Sequence, residues 1–130
     1  MQQQPKLGWV ILYVEDIARS LDFYTAALGL TIRFRTDDYA ELDTGATALA
    51  VCSRSALAAT STGLPAEQLV GNGMEITLVY DDPEAAFAHA VANGAVPRKA
   101  PELTPWGQWV SYVQDPDGHL VELASAVDAP

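Results

Sequence analysis

The first patterned stretch of the chain is a run of six apolar residues, Trp9-Val10-Ile11-Leu12-Tyr13-Val14, which reads as a β-strand whose alternate side chains face opposite ways. Val10, Leu12 and Val14 are aliphatic and suit a core face. Trp9, Ile11 and Tyr13 then share the opposite face. Asp16 follows as a helix cap, and Ile17, Leu21, Tyr24 and Leu28 recur at spacings of three and four, one side of a helix that Gly29 ends. Thr31 to Arg35 and Tyr39 to Asp43 read as two short strands around the Asp37-Asp38 turn, and Ala46 to Ser53 as a third.

The second half repeats this order. Glu75 to Tyr80 is a strand with Glu75, Thr77 and Val79 on one face, and Asp82-Pro83-Glu84 opens a helix with proline in its first turn. Asn93-Gly94 closes that helix. A strand near Ala95 to Pro97, one from Gln108 to Gln114 and one from Leu120 to Ala124 follow, the last two joined by the turn Asp115-Pro116-Asp117-Gly118. Asp16 stands thirteen residues before Gly29, and Asp81 thirteen before Gly94. The pattern predicts an α+β domain of two repeated units, about 8–53 and 74–125, joined by a linker at about 54–73 that has room for a short helix. Two half-sheets, each backed by a helix, curve around one concave surface.

Length and composition narrow the function. The chain has 130 residues, the size of one domain. Seven basic residues face seventeen acidic ones, a formal charge of -10, so nucleic acid is not an expected partner. The start of the chain has no apolar leader and no run of about eighteen apolar residues follows, which predicts a cytoplasmic protein that does not cross a membrane. Cys52, the sole cysteine, forms no intramolecular disulfide and reads as a small apolar residue of a buried strand. His89 reads as a helix-surface residue and His119 as a solvated turn residue.

Val14-Glu15-Asp16, Ser20, Phe23-Tyr24 and Leu28-Gly29-Leu30 resemble the N-terminal signature of the vicinal oxygen chelate superfamily, which includes glyoxalase I, extradiol dioxygenases and bleomycin-binding proteins. Val79 to Gly94 resembles its second module. Pro105-Trp106-Gly107, Asp115-Pro116-Asp117-Gly118 and Val121-Glu122-Leu123 resemble its closing strands. The resemblance implies two βαβββ modules forming a curved mixed sheet around a cleft, in a homodimer. That family hosts both enzymes and binders, so the site has to decide between them.

Metal-dependent members place ligands on the first and last strands of each module. Carried over by resemblance, those positions are Trp9, the strand around Ala50, Glu75 and Glu122. Two carboxylates remain, without an imidazole. A catalytic zinc site takes three protein ligands rich in histidine, and two carboxylates hold Mg²⁺ or Mn²⁺ weakly. The expectation is therefore no metal, no cofactor and no catalytic residue. The alternative is a divalent-metal lyase, isomerase or dioxygenase on Glu75 and Glu122, and a third reading makes one of these glutamates a metal-free general base.

Aromatic side chains dominate the predicted cleft: Trp9, Tyr13, Trp106, Trp109 and Tyr112, with Phe34 and Tyr39 as further candidates, beside the polar Glu75, Thr77 and Glu122. Trp109 and Tyr112 differ by an odd number, so a regular strand turns only one of them to the cleft. Such a surface suits a flat, partly apolar small molecule, aromatic or partly cationic, which the carboxylates can hydrogen-bond or pair with. The reading reached from the sequence is a binding protein that sequesters an aromatic natural-product antibiotic.

Overall fold

The structure is a computed structural model and describes residues 8–59, 65–68, 75–105 and 107–126. They divide into two compact units. Described residues of 8–21 and 30–68 form the first; residues 22–29 with those of 75–126 form the second. The expected sequence boundaries are thus crossed in space by one segment, 22–29, which groups with the second unit.

In the first unit β1 (Trp9–Val14) lies parallel to β4 (Ala48–Ser53), and β3 (Tyr39–Leu42) and β2 (Ile32–Arg35) continue the sheet antiparallel, in the order β1-β4-β3-β2. A parallel pair needs a crossover, and helix α1 (Ile17–Asp22) begins it. Asp16 caps that helix, its carboxylate accepting from the Arg19 amide at 3.2 Å. A π-helical turn, Phe23–Ala27, continues it. The four apolar positions predicted to share a face, Ile17, Leu21, Tyr24 and Leu28, are all buried.

The second unit repeats the topology: β5 (Glu75–Val79), helix α2 (Pro83–Ala92), β6 (Val96–Leu103), β7 (Trp109–Gln114) and β8 (Leu120–Ala124), in the sheet order β5-β8-β7-β6. Asp82 caps α2 by accepting from the Ala85 amide at 3.1 Å, with Pro83 in the first turn, where a missing N–H costs no helix bond. Two βαβββ repeats of α+β class therefore stand as the sequence predicts. One strand differs. β6 runs eight residues, well past the stretch read near Ala95 to Pro97, and carries Pro97 and Pro101. It tolerates them because it is an edge strand whose register slips twice against β7. The expected linker holds a helical turn, Arg54–Ala58, capped by Ser53, and a 3-10 turn, Ala66–Gln68.

Side-chain alternation sets the two faces of each sheet. Leu12 and Val14 on β1, Val51 on β4 and Leu42 on β3 are buried core, whereas Trp9 and Ile11 are exposed. In the second unit Val113, Val121 and Leu123 are buried core, while Glu75, Thr77 and Val79 are exposed.

Candidate functional site

The register of the two sheets makes their open faces comparable position by position. Ile11, Ala50 and Glu41 form one row across β1, β4 and β3. Thr77, Glu122 and Tyr112 form the matching row across β5, β8 and β7. The central position is an alanine in one unit and a glutamate in the other, and that exchange shapes both sites.

In the first unit the face of β4 is built from Ala48, Ala50 and Cys52, all small and buried. Larger side chains from the flanking strands close over this floor. Trp9 of β1 donates its indole N–H to Glu41 Oε2 of β3 at 3.0 Å. The two strands are not neighbours and stand about 10 Å apart, so the bond spans β4, and only short side chains beneath it leave the room. Tyr39 donates its hydroxyl to the same Glu41 oxygen at 2.6 Å. The Arg33 guanidinium meets the other oxygen, Oε1, at 3.0 Å.

Arg33 reaches this face through a β-bulge. Ile32 pairs with Leu42 and Phe34 with Glu41, so two steps along β2 match one along β3 and Arg33 falls in the irregularity. A bulge re-aims a side chain that regular alternation would send to the other face. Three donors on one carboxylate favour its charged form: the hydroxyl of Tyr39 first, then the indole of Trp9, then Arg33 hold Glu41 below the usual carboxylate range. The Tyr39 phenol moves the other way, to about 12, through desolvation and then its bond to Glu41. Around this hub the aromatic rings stay open. Trp9 is 59% exposed, Phe34 is 51% exposed, and the Phe34 ring centroid lies 6.3 Å from that of Tyr39. Tyr13 lines the same face, packed with Tyr39 against Cys52.

In the second unit the carboxylate sits on the central strand and its neighbours donate inward. Thr77 donates to Glu122 Oε1 at 2.8 Å and Tyr112 to Oε2 at 3.0 Å. Desolvation, followed by the bond to Glu122, lifts the Tyr112 phenol to about 12. Glu75 stands two positions before Thr77 on the same face of β5 and is exposed. Trp109, odd-numbered on β7, falls on the face of Ser111 and Val113, opposite Tyr112. Its backbone N–H bonds Ser125 Oγ at 2.9 Å. Trp106 lies outside the described residues.

Sequence reading missed Glu41 and Arg33. Glu41 carried a signal, since it lies two residues after Tyr39 on one strand and so shares its face. Arg33 carried none, because a bulge is invisible to a period-two pattern. His119, read as a solvated turn residue, is instead tied into a buried polar cluster. Its Nδ1 lies 2.7 Å from Asp115 Oδ2, which also accepts the Tyr24 hydroxyl at 2.8 Å. Asp115 Oδ1 accepts the backbone N–H groups of Asp117 and His119. Tyr24 and Asp115 are buried, and the Asp115 carboxyl is held below its ordinary value because these donors outweigh the opposing effect of burial. This cluster fixes the 115–118 turn and holds segment 22–29 in the second unit. His89 is exposed, as read, and its Nε2 lies 3.0 Å from the Ala26 carbonyl.

Two of the positions that the resemblance marks for metal ligands, Trp9 and Ala50, carry side chains that cannot ligate. The Trp9 nitrogen is a donor bound to Glu41, Ala50 offers a methyl group, and both oxygens of Glu122 already accept protein hydrogen bonds. Among the described residues no group of three or more His, Cys, Asp or Glu side chains is placed to hold an ion.

The fold recurs in solved proteins. A glyoxalase-related enzyme from Fulvimarina pelagi is 22% identical, with a TM-score of 0.82 over 95% of this chain and 89% of its own. A glyoxalase/bleomycin resistance protein/dioxygenase family enzyme from Burkholderia phytofirmans is 22% identical, with a TM-score of 0.80 over 93% and 98%. In sequence, the uncharacterized protein YraH of Bacillus subtilis is 27% identical over 124 residues, 91% of this chain and 96% of the relative. The repeated βαβββ units agree with the family match, which spans residues 6–123, and the chain therefore belongs to the Glyoxalase/Bleomycin resistance protein/Dioxygenase superfamily.

Proposed function

We propose that this protein binds and sequesters a planar aromatic compound of the natural-product antibiotic kind, making and breaking no bond in it. The observation that carries this reading is the anchored, open indole of Trp9. A large aromatic side chain that is 59% exposed is unusual for a core residue. Its edge is fixed by Glu41, and so its face is left as a stacking surface beside Tyr39 and Phe34. A ring held in place in the empty protein loses little freedom on binding, which raises affinity without adding contacts. Family membership is compatible with this reading, because the superfamily joins resistance proteins with enzymes. In a homodimer the surface is presented twice, in equivalent copies.

Titration of tryptophan fluorescence with a panel of aromatic antibiotics tests the reading. At least one compound is expected to quench or shift the emission saturably and to be recovered unchanged. Trp9→Ala is expected to weaken that complex by about ten-fold or more, the scale of one buried aromatic contact. A panel that leaves the emission unchanged, or a chemically altered compound after incubation, overturns it.

A further inference from the structure

The charge arrangement on the first sheet says which aromatic compounds suit it, an inference that rests on the sequestration reading above. Glu41 is the carboxylate of that face, and Arg33 already neutralises it across 3.0 Å. Trp9 and Tyr39 also donate to it, so its acceptor capacity is turned inward to the protein. Arg33 is less committed. A guanidinium carries five N–H donors in a planar fork, Glu41 is its partner among the described residues, and 41% of the side chain is exposed. The contrast with the second sheet is direct. There Glu122 is met by a threonine and a tyrosine, both neutral, and among the described residues no cation joins them.

We propose that the Trp9 face selects planar aromatic ligands bearing a carboxylate or another anionic oxygen, and that Arg33 is its specificity-determining residue. The ring lies against Trp9, Tyr39 and Phe34, and the anionic oxygen accepts from the guanidinium donors that Glu41 leaves unused. A charge-assisted bond of this kind is stronger than a neutral one and directional. The formal charge of -10 opposes an anion at long range. At physiological ionic strength, however, charges beyond about 8 Å are screened, so the nearest group decides. An amine-bearing ligand meets at Glu41 a carboxylate that is already paired with Arg33.

Three matched probes read this out at physiological salt: 2-naphthoate, 2-naphthalenemethanol and 2-naphthylmethylammonium, each titrated against tryptophan fluorescence. The naphthoate is expected to bind about ten-fold tighter than the ammonium probe, with the alcohol between them. Arg33→Gln, its fold checked by circular dichroism, is expected to lower the naphthoate-to-alcohol affinity ratio about ten-fold, and Arg33→Lys to restore part of it. A native protein that prefers the ammonium probe, or an Arg33→Gln variant with an unchanged ratio, overturns the inference while leaving the sequestration reading in place. Failure of all three probes to bind up to their solubility overturns both.

Discussion

Trp9 and Glu41 are bonded to each other across a strand that separates them. That bond exists because the intervening strand presents alanines. At the matching place in the second sheet the central residue is Glu122, and the neighbouring side chains turn inward to it rather than over it. The same scaffold thus builds a bridge in one unit and a three-residue row in the other, and one side chain on the central strand decides which.

Ala50→Leu is expected to break the bridge. Ala50 is fully buried beneath the Trp9–Glu41 span, so a larger side chain displaces one or both ends. Overpacking of this kind costs about 1–3 kcal/mol. Acrylamide quenching of tryptophan emission is expected to rise as the indole is released. A variant with native quenching and native stability contradicts the placement of Ala50 under the bridge. Lowering the pH does the same by another route. Glu41 is held below the ordinary carboxylate range, so its share of the anchoring is present above its unfolded value of about 4.3 and is lost as pH falls through its lowered folded value.

Tyr24→Phe removes one hydroxyl from a buried pair and leaves the ring in place. Asp115 then lacks one of its donors at a site where water is excluded, a loss of about 1–3 kcal/mol. Urea denaturation is expected to show a lower midpoint with an unchanged slope. Asp115→Ala is expected to cost more, because Tyr24, His119 and the Asp117 amide all lose their acceptor at once. The sign of the pH effect follows from the depressed Asp115 carboxyl: its contribution is present above about pH 4 and disappears as pH falls through the lower folded value. A Tyr24→Phe protein as stable as the native one contradicts the buried pair.

Much of this fold was legible in the sequence, and the reason is periodicity. The first strand shows as a short apolar run with aliphatic residues at every second position, and the first helix shows its buried side at spacings of three and four. The repeat itself appears in the matched Asp16–Gly29 and Asp81–Gly94 intervals. What the pattern could not show depends on pairing between strands. β6 was read short because Pro97 and Pro101 interrupt a strand signal that an edge with slipped register accommodates. Arg33 was invisible because its direction comes from a bulge; Glu41 could be placed on the face of Tyr39, but not its bonds to Trp9 and Arg33, which arrive from β1 and β2. The Asp115 cluster was missed for the same reason: Tyr24 lies ninety-one residues away in sequence.

Alkaline titration separates the anchored tyrosines from ordinary ones. Tyr39, Tyr80 and Tyr112 are each pushed to about 12, first by desolvation and, for Tyr39 and Tyr112, also by the carboxylate they donate to. Phenolate absorbance is expected to show these three groups still protonated near pH 11 in the folded protein. A raised tyrosine stabilises the fold below its unfolded value of about 10, and that contribution is lost as pH rises through about 12. The buried Tyr24 phenol is raised as well, by desolvation and then by Asp115, and Tyr112→Phe is expected to remove one of the late steps. An early step lost in its place contradicts the Tyr112–Glu122 bond.

Metal content is the measurement that divides the binding reading from the enzymatic alternative on Glu75 and Glu122. Each Glu122 oxygen accepts one hydrogen bond, from Thr77 and from Tyr112, so a cation at Glu122 has to share the carboxylate with these two donors. Protein purified without chelators is expected to carry substoichiometric Mn, Fe, Ni and Zn by elemental analysis, and EDTA is expected to leave the affinity for an aromatic ligand unchanged within about two-fold. Glu122→Gln is expected to keep the fold, because an amide accepts one of the two hydrogen bonds and Thr77 and Tyr112 are neutral donors that leave no charge stranded. Stoichiometric metal that is lost in Glu122→Gln, together with turnover of a substrate, supports the enzymatic alternative and removes the argument from Trp9.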